Sequence, residues 1–164
     1  MSFSRIISLI ACIVLCEAAG ALGALFTSRS VSTWYQAIKK PFFNPPGWVF
    51  APVWTLLYAL MGISLFLIIR EGFKNRPVQI AVALFAVQMA FNVSWSYAFF
   101  GLRSPLAGLV IIILLWISII AAMISFWPIS RWASSLFIPY VLWVTFAMIL
   151  NLFLYLLNRN APPV

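Results

Sequence analysis

LAGLVIIILLWISIIAAMISFW, residues 106–127, carries no charged side chain and no proline. A helix rises about 1.5 Å per residue, so a run of this length spans a hydrocarbon core of about 30 Å. Its apolar character is continuous, not alternating, which excludes a barrel strand. A helix is then the way to satisfy every backbone group in lipid. Working outward, four more such runs lie at 6–26, 48–69, 78–100 and 133–157. Breakers separate them: REGFKNRP at 70–77, GLRSP at 101–105 and PISR at 128–131. The expected fold is an all-α membrane protein, a five-transmembrane-helix bundle forming a single domain over residues 1–164.

Composition agrees. The chain is 65% hydrophobic and 7% charged, against about 25% charged residues in soluble domains. The net charge of +8 comes from Lys and Arg at the ends of apolar runs. That placement fits anchoring at lipid headgroups and excludes nucleic acid as a partner. Five basic residues fall on each side of a five-span bundle, so charge does not set its orientation. The first run holds Glu17 and is longer than the apolar core of a signal peptide, about 7–15 residues, so it reads as a retained span. No Arg- and Ser-rich transit sequence precedes it, and a bacterial cytoplasmic membrane is the expected location.

The chemical inventory is short. There is no His, and the two acids are Glu17 and Glu71. A Ser-His-Asp triad, an intramembrane carboxylate pair and a zinc site are excluded, and no metal is expected. Cys12 and Cys16, four apart, share one helix face as small packing residues. Glu17 costs about 2.5–3.5 kcal/mol in mid-membrane and should face the bundle interior. It reads there as a hydrogen bond stapling two helices in preference to a polar group on a cavity wall. Ala19 with Gly23, and Ala86 with Ala90, offer small-residue faces for close packing within the bundle or in a homodimer.

The remaining polar and aromatic residues form stripes. Gln88, Asn92 and Ser96 recur every four positions beside Trp95. Trp143, Ala147, Asn151 and Tyr155 do the same one turn after Pro139, and Trp54, Tyr58 and Gly62 share a face. Amides facing lipid would be left unpaired, so these faces point inward. Indole faces for stacking and a few orienting amides suit a flat aromatic ligand. The first connection, Thr27 to Gly47, exceeds the usual loop limit of about 12–15 residues and holds Trp34, Tyr35, Phe42 and Phe43. Ser32 is expected to cap a short helix carrying Trp34, Tyr35 and Ile38, which Lys39-Lys40-Pro41 ends. Either the loop is an aromatic belt at the headgroups, or it is a folded lid over one mouth of the bundle.

Taken in order, these residues resemble the TspO/translocator-protein family of tryptophan-rich membrane proteins. The match begins at Trp34-Tyr35, passes Lys40-Pro41 and Pro45-Pro46, and enters the second span as Val53-Trp54, Leu57-Tyr58 and Met61-Gly62. It returns as Gln88, Asn92, Trp95 and Phe99-Phe100-Gly101, and ends with Pro139-Tyr140, Trp143, Phe146-Ala147 and Leu150-Asn151. Phe43 departs from the pattern, since family members often carry Trp before the diproline. The resemblance implies that the first loop is partly helical and caps a ligand pocket formed by Trp34, Trp54, Asn92, Trp143, Ala147 and Asn151. The stripes add Tyr58 and Trp95. It implies porphyrin, sterol or benzodiazepine-type ligands, no required cofactor, and a mitochondrial outer membrane as the alternative location. It also implies light- and oxygen-dependent breakdown of protoporphyrin, with Trp54 and Trp143 as the reacting residues. Leu152, Tyr155 and Arg159 fit the loose sterol-contact spacing at the end of the last span, a pattern that an interfacial anchor also produces. Without His, iron would need a Cys, Met or Tyr ligand, so protoporphyrin IX is expected to bind at least as readily as haem. Four classes compete: a tetrapyrrole sensor, a porphyrin-degrading enzyme, a transporter of a small hydrophobic solute and a ligand-free structural subunit. The absence of a polar pathway disfavours the transporter, and the long aromatic loop disfavours the structural subunit.

Overall fold

The computed structural model describes residues 3–160. Among them, five helical segments are long and apolar enough to cross a membrane: Phe3–Val31, Gly47–Ile69, Arg76–Gly101, Pro105–Phe126 and Arg131–Asn158. The first is a single helix, α1 (Phe3–Val31), which continues beyond the expected end at Phe26. The hydroxyls of Thr27 and Ser28 donate back to the carbonyls of Gly23 and Leu25, both at 3.3 Å, so these polar residues fit inside the helix.

The lid is correspondingly shorter than the sequence implied. Ser32 is not its cap. The single turn α2 (Trp34–Ala37) begins at Thr33, with no side-chain cap bond. Thr33 is tied to α1 instead, its hydroxyl donating to the Arg29 carbonyl at 3.3 Å, so one helix leads directly into the next. A 3-10 turn, Gly47–Val49, then feeds α3 (Phe50–Ile69).

The third crossing is α4 (Arg76–Ser96), which widens into a π turn at Tyr97–Gly101. The Ser30 hydroxyl donates to the Phe100 carbonyl in that turn at 2.7 Å, binding it to the end of α1. Ser104 caps α5 (Pro105–Phe126), accepting the Ala107 N–H at 3.2 Å. The last crossing is broken. The short α6 (Arg131–Ser135), capped by Ser130, precedes α7 (Ile138–Asn158). Pro139 sits in the first turn of α7, where its missing N–H is harmless.

In the bundle α1 packs along α3 and α4, α4 along α5, and α5 along α7, while α6 touches α3 and α5. The α1–α3 seam is tightest at Gly62, where a Cβ would sit 2.5 Å from the Ile13 Cα. Cys12 and Cys16 are buried and unbridged. Phe85, Phe126 and Phe137 fill the core at the end away from the lid. By contrast, the backbones of α3 and α7 stand apart. Rings bridge that gap, Trp54 to Tyr140 at 6.3 Å and Phe50 to Trp143 at 5.9 Å between centroids.

Candidate ligand-binding cavity

Between α1, α3 and α7, under the lid, lies a cavity of about 890 Å³, within the range of about 300–1,000 Å³ for small-molecule sites. Trp54 and Tyr58 of α3 line it, with Trp95 of α4 and Ala147 and Asn151 of α7. Trp54 stacks on Tyr58 at 5.6 Å and 28°, and Trp95 on Phe99 at 5.5 Å and 20°. The Trp95 indole N–H donates to Asn151 Oδ1 at 3.1 Å, and Asn151 Nδ2 donates to the Pro105 carbonyl at 2.7 Å. Wall side chains are thus oriented before any ligand arrives. Gly20 of α1 makes room for the Tyr58 ring, which a Cβ there would overlap.

Trp34, Asn92 and Trp143 are not on this wall. Trp34 opens the lid's own turn, α2, and is buried edge-on to Phe99 at 5.5 Å. Asn92 stands behind Tyr58. The Tyr58 hydroxyl donates to Asn92 Oδ1 at 2.6 Å, Asn92 Nδ2 donates to the Tyr140 hydroxyl at 2.9 Å, and that hydroxyl donates to Gln88 Oε1 at 3.0 Å. This chain ties α3, α4 and α7 together below the cavity. Trp143 lies behind Phe50 and against Phe146, and its buried indole nitrogen has no hydrogen-bond partner among the described residues. Glu17 lines the cavity and makes no hydrogen bond among the described residues. It is therefore a wall residue, not the staple expected from its cost. Leu152 and Arg159 are exposed and Tyr155 is half-buried, all away from the cavity wall.

Sequence reasoning gave two residues of the site no role in it: Tyr140, named only within the family match, and Asn158, not named at all. Tyr140 is fully buried at the centre of the polar chain; its position three before Trp143 placed it near the inward stripe. Asn158 latches the lid, accepting the Lys39 N–H at 3.0 Å and donating to the Lys39 carbonyl at 2.9 Å. It follows Asn151 by two turns on the same face. Within the lid the Tyr35 hydroxyl donates to Asn44 Oδ1 at 2.7 Å. Burial pushes the Tyr35 phenol up to about 12, against a smaller opposite effect of Asn44. Phe43 packs edge-on to Phe153 at 5.3 Å, so an aromatic ring pins the lid. On one side the cavity opens between α1 and α3, where Ala21, Ala24, Ala51 and Thr55 line it and stay exposed.

Fold and site together define a five-span integral membrane protein with a lidded, aromatic-walled interior cavity. The pattern of the TspO/MBR family matches residues 12–156, and the chain belongs to that family. It is 46% identical to the tryptophan-rich protein TspO of Chlorobaculum tepidum, over 94% of this chain and 98% of that protein. It is 36% identical to the tryptophan-rich sensory protein of Cereibacter sphaeroides, over 90% and 89%. To the human translocator protein it is 34% identical, over 79% and 78%.

Proposed function

We propose that this protein is a membrane-embedded receptor and sensor for flat hydrophobic ligands, tetrapyrroles first among them. The observation that carries the reading is the pair of indoles, Trp54 and Trp95, each backed by a second ring and both lining one cavity beside Asn151. Cys12 and Cys16 lie off the wall, and the Tyr58 and Tyr35 hydroxyls are engaged by Asn92 and Asn44. Recognition is therefore of the macrocycle, and protoporphyrin IX binds at least as well as haem. Sterols and benzodiazepine-type drugs are the other ligands of this class. The names of the relatives, sensory protein and translocator protein, support a sensing or carrying role. The Tyr58–Asn92–Tyr140–Gln88 chain below the cavity favours holding a ligand over passing it through.

A second reading has one observation in its favour. Trp54 is on the cavity wall, in position to donate an electron to a photoexcited porphyrin, with dioxygen as the final oxidant. Light-driven porphyrin loss would then fall in Trp54→Phe more than in Trp143→Phe, since Trp143 lies behind Phe50. We place the protein in a bacterial cytoplasmic membrane, as a homodimer.

The test is a titration of purified, detergent-solubilised protein with protoporphyrin IX in the dark, following Trp fluorescence with inner-filter correction. Saturable quenching is expected, weakened about tenfold by Ala147→Leu, which fills the wall with buried side chain. Quenching equal to that of a protein-free Trp control removes the tetrapyrrole reading.

A further inference from the structure

The cavity wall carries two charged side chains, Glu17 and Lys40, at different depths. Glu17 belongs to the middle of α1, and Lys40 belongs to the lid. The Lys40 ammonium donates to the carbonyls of Gln36 at 3.1 Å and Ile38 at 3.4 Å, and lies 5.0 Å from the centre of the Tyr35 ring. Those contacts hold a normally mobile side chain in place. An ammonium has three N–H donors, so one remains for a ligand. Among the described residues no carboxylate pairs with it; the ion pair present is Arg70 with Glu71, in the loop between α3 and α4. Gln36 and Asn44 also line this end, so polar groups gather at the lid while the walls below are largely aromatic and aliphatic.

We infer that Lys40 is the anion subsite of the cavity, taking the carboxylate of an amphipathic ligand whose rigid apolar body lies against Trp54 and Trp95. The inference rests on the ligand-binding reading above and gives the ligand a chemical class, a hydrophobic carboxylic acid, and a direction. The acid lies at the lid, level with the headgroups, and the apolar body lies deeper. An ion-to-ion hydrogen bond is the strong kind, and partial burial shields it from water. Arg29, Lys39, Arg103 and Arg159 belong to the same side of the bundle by its topology, and their field draws anions to the mouth. Lys40 differs from them in lining the cavity.

The experiment compares acids with their esters in nanodiscs of zwitterionic lipid. Wild type, Lys40→Gln and Lys39→Gln are titrated with protoporphyrin IX and its dimethyl ester, and with an environment-sensitive fluorescent fatty acid and its methyl ester. Wild type is expected to prefer each acid by about tenfold, equivalent to about 1.4 kcal/mol. Lys40→Gln brings the acid-to-ester affinity ratio to about one, and an unchanged ligand-free apparent Tm reports an intact fold. Lys39→Gln keeps the preference, because its side chain is off the wall and its latch to Asn158 uses backbone atoms. A preference that survives Lys40→Gln, or that Lys39→Gln removes equally, overturns the subsite. If neither porphyrin form binds but the fatty acid pair shows the Lys40-dependent preference, the tetrapyrrole reading fails and the subsite stands. If no pair shows such a preference, the subsite falls whatever the esters do.

Discussion

At Gly62 there is no room for a methyl group. A Cβ would meet backbone atoms of Ile13 and Cys12 at 2.5–2.9 Å, and backbone cannot rotate aside as a side chain can. Gly62→Ala must therefore part α1 from α3, at a cost of about 1–3 kcal/mol. Its apparent Tm in detergent should fall by several degrees, while Gly47→Ala, with nothing within 4 Å of its Cβ, should not move it. An unchanged Tm in Gly62→Ala would mean that the seam is looser than drawn. Individual residues were legible as to face but not as to depth. Helical spacing turned Gln88, Asn92 and Asn151 inward, and all three are buried. Spacing says nothing of what stands in front, so Asn92 behind Tyr58, and Trp143 behind Phe50, read the same as residues on the wall.

The lid is the element whose behaviour the structure specifies most fully. Asn158 supplies both hydrogen bonds of its latch, so Asn158→Ala should speed amide hydrogen exchange over residues 39–44 and leave α3 unaffected. Equal protection in the variant would assign lid closure to the Phe43 and Trp34 rings alone. Tyr35 gives a pH signature. An open lid ionises this phenol near about 10, whereas the closed lid keeps the proton to about 12. Between those values the closed form binds more protons, so closure is fully stable below the lower value and weakens as pH rises through the interval. The difference in phenolate absorbance between wild type and Tyr35→Phe should titrate near the higher value; a midpoint near the lower one means that the lid stands open. Five crossings were readable because twenty apolar residues in a row have few other structures available. The end of α1 and the break before α7 were not readable. The first depends on hydroxyls bonding back within the helix, and the second on how α6 docks on α3.

For the whole molecule, the family, the bundle and the presence of an aromatic lid followed from ordered motifs, while the boundary of the cavity required the helices to be placed. For the homodimer proposed above, placement also narrows the choice of face. Gly23 is buried against Ser96, whereas Ala86 and Ala90 are exposed on the outside of α4. With Cys12 and Cys16 replaced by Ala, Ala90→Cys should cross-link two copies in bilayers and Gly23→Cys should not. The reverse pattern, or no cross-link at Ala90, would remove α4 as the shared face.

The gap between α1 and α3 opens sideways from the bundle, because Ala21, Ala24, Ala51 and Thr55 are exposed residues of membrane-crossing helices. A strongly partitioning ligand resides almost wholly in the leaflet, so its mole fraction there, and not the total per litre of buffer, follows the chemical potential that sets occupancy. A strongly partitioning compound arrives already concentrated, and adding lipid at fixed total ligand dilutes it in two dimensions. Apparent dissociation constants quoted per litre of buffer will drift with the lipid-to-protein ratio, and those quoted per mole of lipid will hold still.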